Sequence, residues 1–199
     1  MSDQRRHEAV IVTAPVDYPI TLAQAKAYAS VTDDASDTLI ETLLAGAVDY
    51  FQERTGHQLI QATYSQMWDG FPCWEFEFDL APVRSVSWLK YYDVNGVLTT
   101  LDPTGYWTSL RARPPVVMPR YGTIWPITQY GRPESVEIQY VAGYEFQSDI
   151  RTGIRAAIME IVKHWYVNRI PVVTEGGIPK DVPHTLNSLM GLYNMRGFR

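Results

Sequence analysis

Cys73 is the single cysteine among 199 residues, so the chain forms no internal disulfide and no cysteine-based zinc site. Long hydrophobic runs are missing too. None approaches the roughly 18 apolar residues of a spanning helix, and no membrane partner is expected. The N-terminal MSDQRRHEAVIV starts basic, but its short apolar run meets Asp17 before any cleavage-like site, so no signal peptide is expected. GxGxxG, P-loop, GxSxG and HExxH signatures are absent, which removes the enzyme classes they mark. His7, His57, His164 and His184 show no i, i+4 metal-pair spacing, and His164 beside Trp165 reads as a structural histidine. No metal and no cofactor is therefore expected. Cations are outnumbered, with 17 Lys and Arg against 22 Asp and Glu. A net charge of −5 opposes gripping duplex DNA, which needs clustered basic groups to displace counterions.

What is present is the material of a folded chain, 46% hydrophobic and only 20% charged. The length suits one domain, or one domain with a sizeable insertion, and allows roughly 70% of the unfolded surface to be buried. Thirteen tyrosines and six tryptophans favour sheet packing and protein interfaces. Charge is uneven. Residues 1–57 carry 4 basic and 9 acidic side chains, 58–142 carry 6 and 8, and 143–199 carry 7 and 5. An acidic front and a basic back permit complementary contacts between copies.

Residues 1–20 read as an extended arm broken by Pro15 and Pro19. Thr21 and Gln24 then form a capping box that opens a short helix to about Ser30. Thr32-Asp33-Asp34 reads as the start of a second helix, with acids at the positive end of its dipole. Leu39, Ile40, Leu43, Leu44, Ala47, Val48 and Phe51 form its apolar stripe, and Gly56 suits the left-handed residue that ends it. From residue 58 to 143 the period becomes that of strands. Trp74, Phe76, Phe78 and Leu80 alternate with Glu75, Glu77 and Asp79. Val83–Asp93 and Val97–Leu101 flank Asn95-Gly96, a hairpin turn pair, and Glu134–Val141 is a further strand. Six prolines among the aromatics of residues 102–133 argue for a long loop without a regular central strand. Ile150, Ile154, Ala157, Ile158, Ile161, Val162, Trp165 and Tyr166 then fall on one helical stripe, placing a packed helix within residues 144–169. Residues 170–199 read as a glycine-containing linker, a short amphipathic helix and a basic tail. The class is α+β: about four helices, two at each end, form a small helical core from 21–57 and 144–169, with 58–143 as a β-rich insertion.

Three groups of residues carry candidate functions. Glu75, Glu77 and Asp79 share one strand face about 7 Å apart, a separation suited to a carboxylate pair of a glycoside hydrolase or to a hard-metal site, yet any half-buried strand produces the same alternation. Asp33, Asp37 and Glu41 are spaced by four with Asp34 beside them, and no basic residue compensates them within the helix. That face is either solvated or meets cations such as Arg151 and Arg155 of a neighbouring copy. Leu186, Leu189, Met190 and Tyr193 join an apolar stripe to Arg196 and Arg199, either folded back on the core or serving as a docking arm. A carbohydrate-binding or tail-fibre-like module built on Trp107, Tyr121 and Trp125 is the further alternative.

The wording of several segments, in order, resembles the head-tail connector (adaptor) proteins of long-tailed bacteriophages and gene transfer agents. These segments are PITLAQAKAYASV, DDASDTLIETLLAGAVDYFQERTGHQLIQ, PVRSVSWLKYYDVNG, YGTIWP, QYVAGY with IRAAIMEIVKHWYVNR, and VPHTLNSLMGLYNMR. One departure is Phe146-Gln147-Ser148-Asp149, where the family pattern places a proline near the helix start and Ser148 takes the capping place. The resemblance implies a virion protein of the neck, assembled in the host bacterial cytoplasm. It implies a ring of about twelve copies beneath the portal protein, extending the DNA channel and receiving the next connector, stopper or tail protein. The C-terminal residues 186–199 named above would dock on the portal. The acids at 33–41 with Arg151 and Arg155 would face a neighbouring copy or the lumen, through which DNA passes without specific binding. Tyr106, Trp107, Tyr121 and Trp125 would sit on a tail-side loop. The implied role is structural and not enzymatic.

Overall fold

The computed structural model describes residues 5–168 and 190–194, and among them the chain is an α+β fold of two units with separate apolar cores. One unit holds residues 5–15 and Gln61–Gly143; the other holds Val16–Ile60 with residues 144–168 and 190–194.

The helical unit begins at the capping box. The Thr21 hydroxyl accepts from the Gln24 N–H at 3.3 Å, and the Gln24 side chain accepts from the Thr21 N–H at 3.1 Å, ahead of α1 (Leu22–Ala29). The second helix, α2 (Asp37–Thr55), starts later than Thr32–Asp34. Asp33 instead accepts the Ser36 N–H on its carboxylate at 3.2 Å, and the Asp34 carbonyl accepts from the Asp37 N–H. Short Asp and Ser side chains compete with the helix for backbone donors, and here they win a turn. Gly56 closes α2 at φ 70°, a conformation that costs glycine no Cβ clash.

A 3-10 turn, Gln147–Asp149, precedes α3 (Thr152–Asn168). Ser148 does not cap this helix. Its hydroxyl lies 3.4 Å from the Asp149 carboxylate, and the Arg151 carbonyl receives the N–H groups of Ile154 and Arg155. Ile154, Ala157, Ile158, Ile161, Val162 and Trp165 of α3 are buried against Ile40, Leu43, Leu44, Ala47, Val48 and Phe51 of α2. Each large aliphatic side chain so buried contributes about 1.5–3 kcal/mol. Two stripe residues depart from expectation: Leu39 is exposed and Tyr166 is half-buried. A helical turn at 190–192 buries Met190 in the same core. The rest of the predicted C-terminal segment, with its linker and basic tail, lies outside the described residues.

The β unit contains two sheets. The larger is antiparallel in the order β1 (Val10–Thr13), β2 (Ala62–Trp68), β8 (Val136–Ala142), β4 (Val83–Tyr92), β5 (Leu98–Thr100). The smaller is β3 (Phe76–Glu77), β7 (Val116–Pro119), β6 (Tyr106–Ser109). Val136, Ile138, Tyr140 and Ala142 of β8 alternate inward, and Tyr64 stacks on Tyr140 across the β2–β8 ladder at 5.9 Å. The Asn95-Gly96 turn forms the β4–β5 hairpin, with Gly96 at φ 77° and the Asp93 carboxylate accepting from the N–H groups of Asn95 and Val97.

Three features differ from the sequence-based expectation. The segment read as an arm contains β1, paired with β2 at the sheet edge. Residues 102–133 are not one irregular loop, because they hold β6 and β7, with β7 central in the small sheet. Proline is tolerated there because Pro119 is the last residue of β7 while Pro114 and Pro115 precede it, so the Phe76–Val117 and Glu77–Val116 pairs of the β3–β7 ladder lie between them. Finally, Trp74 is exposed whereas Phe76 and Phe78 are buried, so the alternation of residues 74–80 produces only a two-residue strand. No helix among the described residues is long and apolar enough to cross a membrane.

Candidate functional site

The three carboxylates of residues 75–79 separate in the fold. Glu75 is exposed, and Glu77 is half-buried with its main-chain carbonyl accepting from Arg6 at 3.4 Å. Asp79 binds the Arg6 guanidinium at 2.8 Å and accepts from the Gln66 amide at 2.7 Å. Gln66 is buried; it also donates to the His7 carbonyl, and its oxygen accepts from the Tyr140 hydroxyl. Burial pushes the Tyr140 phenol well above its ordinary range, so it remains a neutral donor. Beside this network His7 meets Asp69 at 2.8 Å. The Glu134 N–H, and after it His7, hold the Asp69 carboxyl below its usual value. These groups tie residues 5–7 to the sheet. No cluster of three or more His, Cys, Asp or Glu side chains able to hold a metal ion occurs among the described residues.

The acidic start of α2 is partly compensated from within the chain. Lys26 of α1 reaches Asp34 at 2.8 Å and Asp37 at 2.5 Å, and these two partners, Asp34 first, hold its ammonium up at about 12. The compensating cation is not on α2 itself but eight and eleven residues upstream of these acids, where no helical spacing rule applies. Asp33 serves the turn before α2, and Glu41 is exposed. Arg151 is exposed and Arg155 is half-buried with its Nε unpartnered among the described residues. No ion pair among the described residues joins either arginine to these acids.

Of the C-terminal candidates, Met190 and Tyr193 turn inward. Met190 is buried, and Tyr193 lies 6.5 Å from the Phe51 ring, so these two fold back on the helical core rather than reach outward. Leu186, Leu189, Arg196 and Arg199 lie outside the described residues.

The aromatic candidates divide in the same way. Tyr106 is buried. Trp125 stacks on Phe71 at 5.0 Å, meets Phe76 edge-on at 5.3 Å, and donates its Nε1–H to the Trp74 carbonyl at 3.2 Å. Both are therefore structural, and a glycan platform built on Trp107, Tyr121 and Trp125 loses one of its three rings. Trp107 and Tyr121 do face solvent, at 50% and 92% exposure. The pinned Trp125 also reveals residues that composition did not single out. Ile124, Ile127 and Tyr130 are exposed, while the pairs 125–126 and 128–129 between them are half-buried. A three-residue period is that of an extended, proline-compatible backbone. The sequence carries this signal in the spacing of Tyr121, Ile124, Ile127 and Tyr130, a period that is neither the 3.6 of a helix nor the 2 of a strand. The result is an outward apolar ridge whose ends are held by the Thr123 N–H on the Arg120 carbonyl and the Gln129 N–H on the Tyr92 carbonyl.

The described residues thus form two separately cored units that carry an exposed apolar ridge and an acidic helix. Solved structures share this fold. One is a chain in the neck of an empty gene transfer agent particle computed with C6 symmetry, at TM-score 0.74 and 19% identity, with 94% of this chain covering 95% of that one. Another is in the neck of a native particle computed with C12 symmetry, at TM-score 0.72 and 19% identity with the same coverage. A third, in the virion of a native gene transfer agent particle, matches at TM-score 0.73 and 18% identity with the same coverage. The likeness is one of fold, over nearly the full length of both chains. No protein-family model and no curated protein matches the chain.

Proposed function

We propose that this chain is a structural head-tail connector, an adaptor in the neck of a tailed phage or phage-like particle. The observation that carries the reading is the fold match over 94% of the chain to chains in neck and virion structures of gene transfer agents. Those necks are computed with C6 and C12 symmetry, which suits a ring of identical subunits set beneath a twelvefold portal. In this reading the ring extends the DNA channel, and the net charge of −5 disfavours retention of the passing duplex. The apolar ridge of Tyr121, Ile124, Ile127 and Tyr130 faces the next neck or tail protein. With Met190 and Tyr193 committed to the helical core, portal docking falls to Leu186, Leu189, Arg196 and Arg199. The work is done by shape and surface, without turnover of a substrate.

The test is assembly in the absence of the chain. Particles made without it should accumulate as DNA-filled heads lacking tails, and imaging of complete particles should locate it at the junction. Tailed particles formed in normal yield without it refute the proposal.

A further inference from the structure

Opposite charges are concentrated on different parts of this molecule. Residues 103–133 contain four arginines and no acid. Arg111 and Arg113 lie in the connection from β6 to β7, at one end of the hairpin, and Arg120 follows Pro119 at the other. All three are exposed. Arg120 donates to the Thr104 carbonyl at 3.3 Å, and none of the three has an acidic partner among the described residues. Between these ends the register pairs Trp107 with Met118, placing both on the outward face, while the neighbouring Tyr106 and Val117 are buried on the other. The hairpin therefore presents an aromatic centre between two cationic ends. Four strand residues and their flanks separate those ends by roughly 15–20 Å.

The outer side of α2 has the reciprocal pattern. Glu41, Ala45, Asp49 and Glu53 recur every fourth residue and form one stripe. The three acids are exposed, and the centre is small, with half-buried Ala45 beside exposed Thr42. Twelve residues of helix make the stripe about 18 Å long, which matches the spacing of the arginine ends. Asp49 and Glu53 are like charges at i, i+4, an unfavourable arrangement in isolation. Although the Asp49 side chain meets solvent, the protein around it partly desolvates its carboxyl, and this, with the Glu53 charge second, pushes it above its usual range. No salt bridge among the described residues discharges Glu41, Asp49 or Glu53.

We infer that the β6–β7 hairpin of one copy lies along α2 of the next, with Trp107 over Ala45 and the arginines at its ends against Glu41 and the Asp49–Glu53 pair. This contact rests on the connector reading and specifies how its copies meet. It uses a different surface on each partner, so it passes from copy to copy, as a ring of identical subunits requires. A buried aromatic centre with a charged rim is the usual anatomy of a protein contact. A duplex would use the arginines but leave Trp107 and Met118 in water.

The experiment places a photo-crosslinking amino acid at position 107, and separately at 118, in full-length chain mixed with isotopically labelled copies and assembled into particles. The expected product joins that position to a peptide from residues 37–55 of a differently labelled copy. R113E with R120E should lower ring assembly about tenfold, and E41R with D49R in the partner copy should recover it. Crosslinks only to a different neck protein, only to DNA or only within one copy overturn the contact, as does normal assembly of the charge-reversed chain. If the chain occupies the neck with such crosslinks, the connector reading stands and this interface falls; if the chain is absent from the neck, both fall.

Discussion

Replacing Trp125 by alanine should release the apolar ridge without unfolding the sheet beneath it. The indole makes two ring contacts, stacked on Phe71 at 5.0 Å with 18° between planes and edge-on to Phe76 at 5.3 Å. Aromatic pairs contribute about 0.5–1.5 kcal/mol each beyond area burial. The Nε1–H bond to the Trp74 carbonyl, at 3.2 Å, adds about 0.5–1.5 kcal/mol. Because the ring is only half-buried, the full 3–5 kcal/mol of a core Trp→Ala change is an upper bound. The expected loss is about 2–4 kcal/mol in urea unfolding of the β unit. Hydrogen exchange supplies the local readout, since the Gln129 amide bonded to the Tyr92 carbonyl marks the docked ridge. Its protection should fall in W125A while the amides of β8 keep theirs relative to global stability. W125F retains a ring against Phe71 and loses only a solvent-replaceable hydrogen bond, so it should cost about 1 kcal/mol or less. A W125A loss under about 1 kcal/mol with Gln129 protection unchanged refutes the claim that Trp125 pins this segment.

Three further outcomes follow from the packing and charge. I158A empties a fully buried position in the helical core and should cost about 2–5 kcal/mol by denaturant titration with an unchanged m-value. In G153A the new methyl meets the Tyr193 hydroxyl, the far end of a side chain that must swing aside, so the single variant should gain less than the roughly 1 kcal/mol of alanine's better helix propensity. G153A combined with Y193A should relieve the clash, giving a coupling of at least about 0.5 kcal/mol in a double-mutant cycle. The Asp69 carboxyl is held below its ordinary value of 3.8, so its contribution is present above that pH and disappears as pH falls through the lowered value. D69N should be less stable at neutral pH and show a shallower loss of stability below about pH 4 in acid titration followed by circular dichroism; an acid limb identical to that of the parent refutes the assignment.

Among these features, the ones legible in the sequence are local. The Thr21–Gln24 capping box, Gly56 at the end of α2, the Asn95-Gly96 turn and the apolar stripe of α3 each depend on residues within a few positions of one another. Backbone geometry then fixes the outcome whatever the surroundings, and the α+β class follows from where the period changes between 3.6 and 2. Everything with a distant partner was decided by the tertiary structure. Residues 10–13 become a strand only because β2 offers them an edge, and β7 is central only because β3 and β6 flank it. Lys26 neutralises Asp34 and Asp37 only because α1 turns back beside the start of α2. Met190, whose stripe left a core position and a docking position equally open, is buried in the α2–α3 core. Spacing reports which face of an element is apolar. Only the fold reports whether that face is covered by the chain's own core or left open for another molecule.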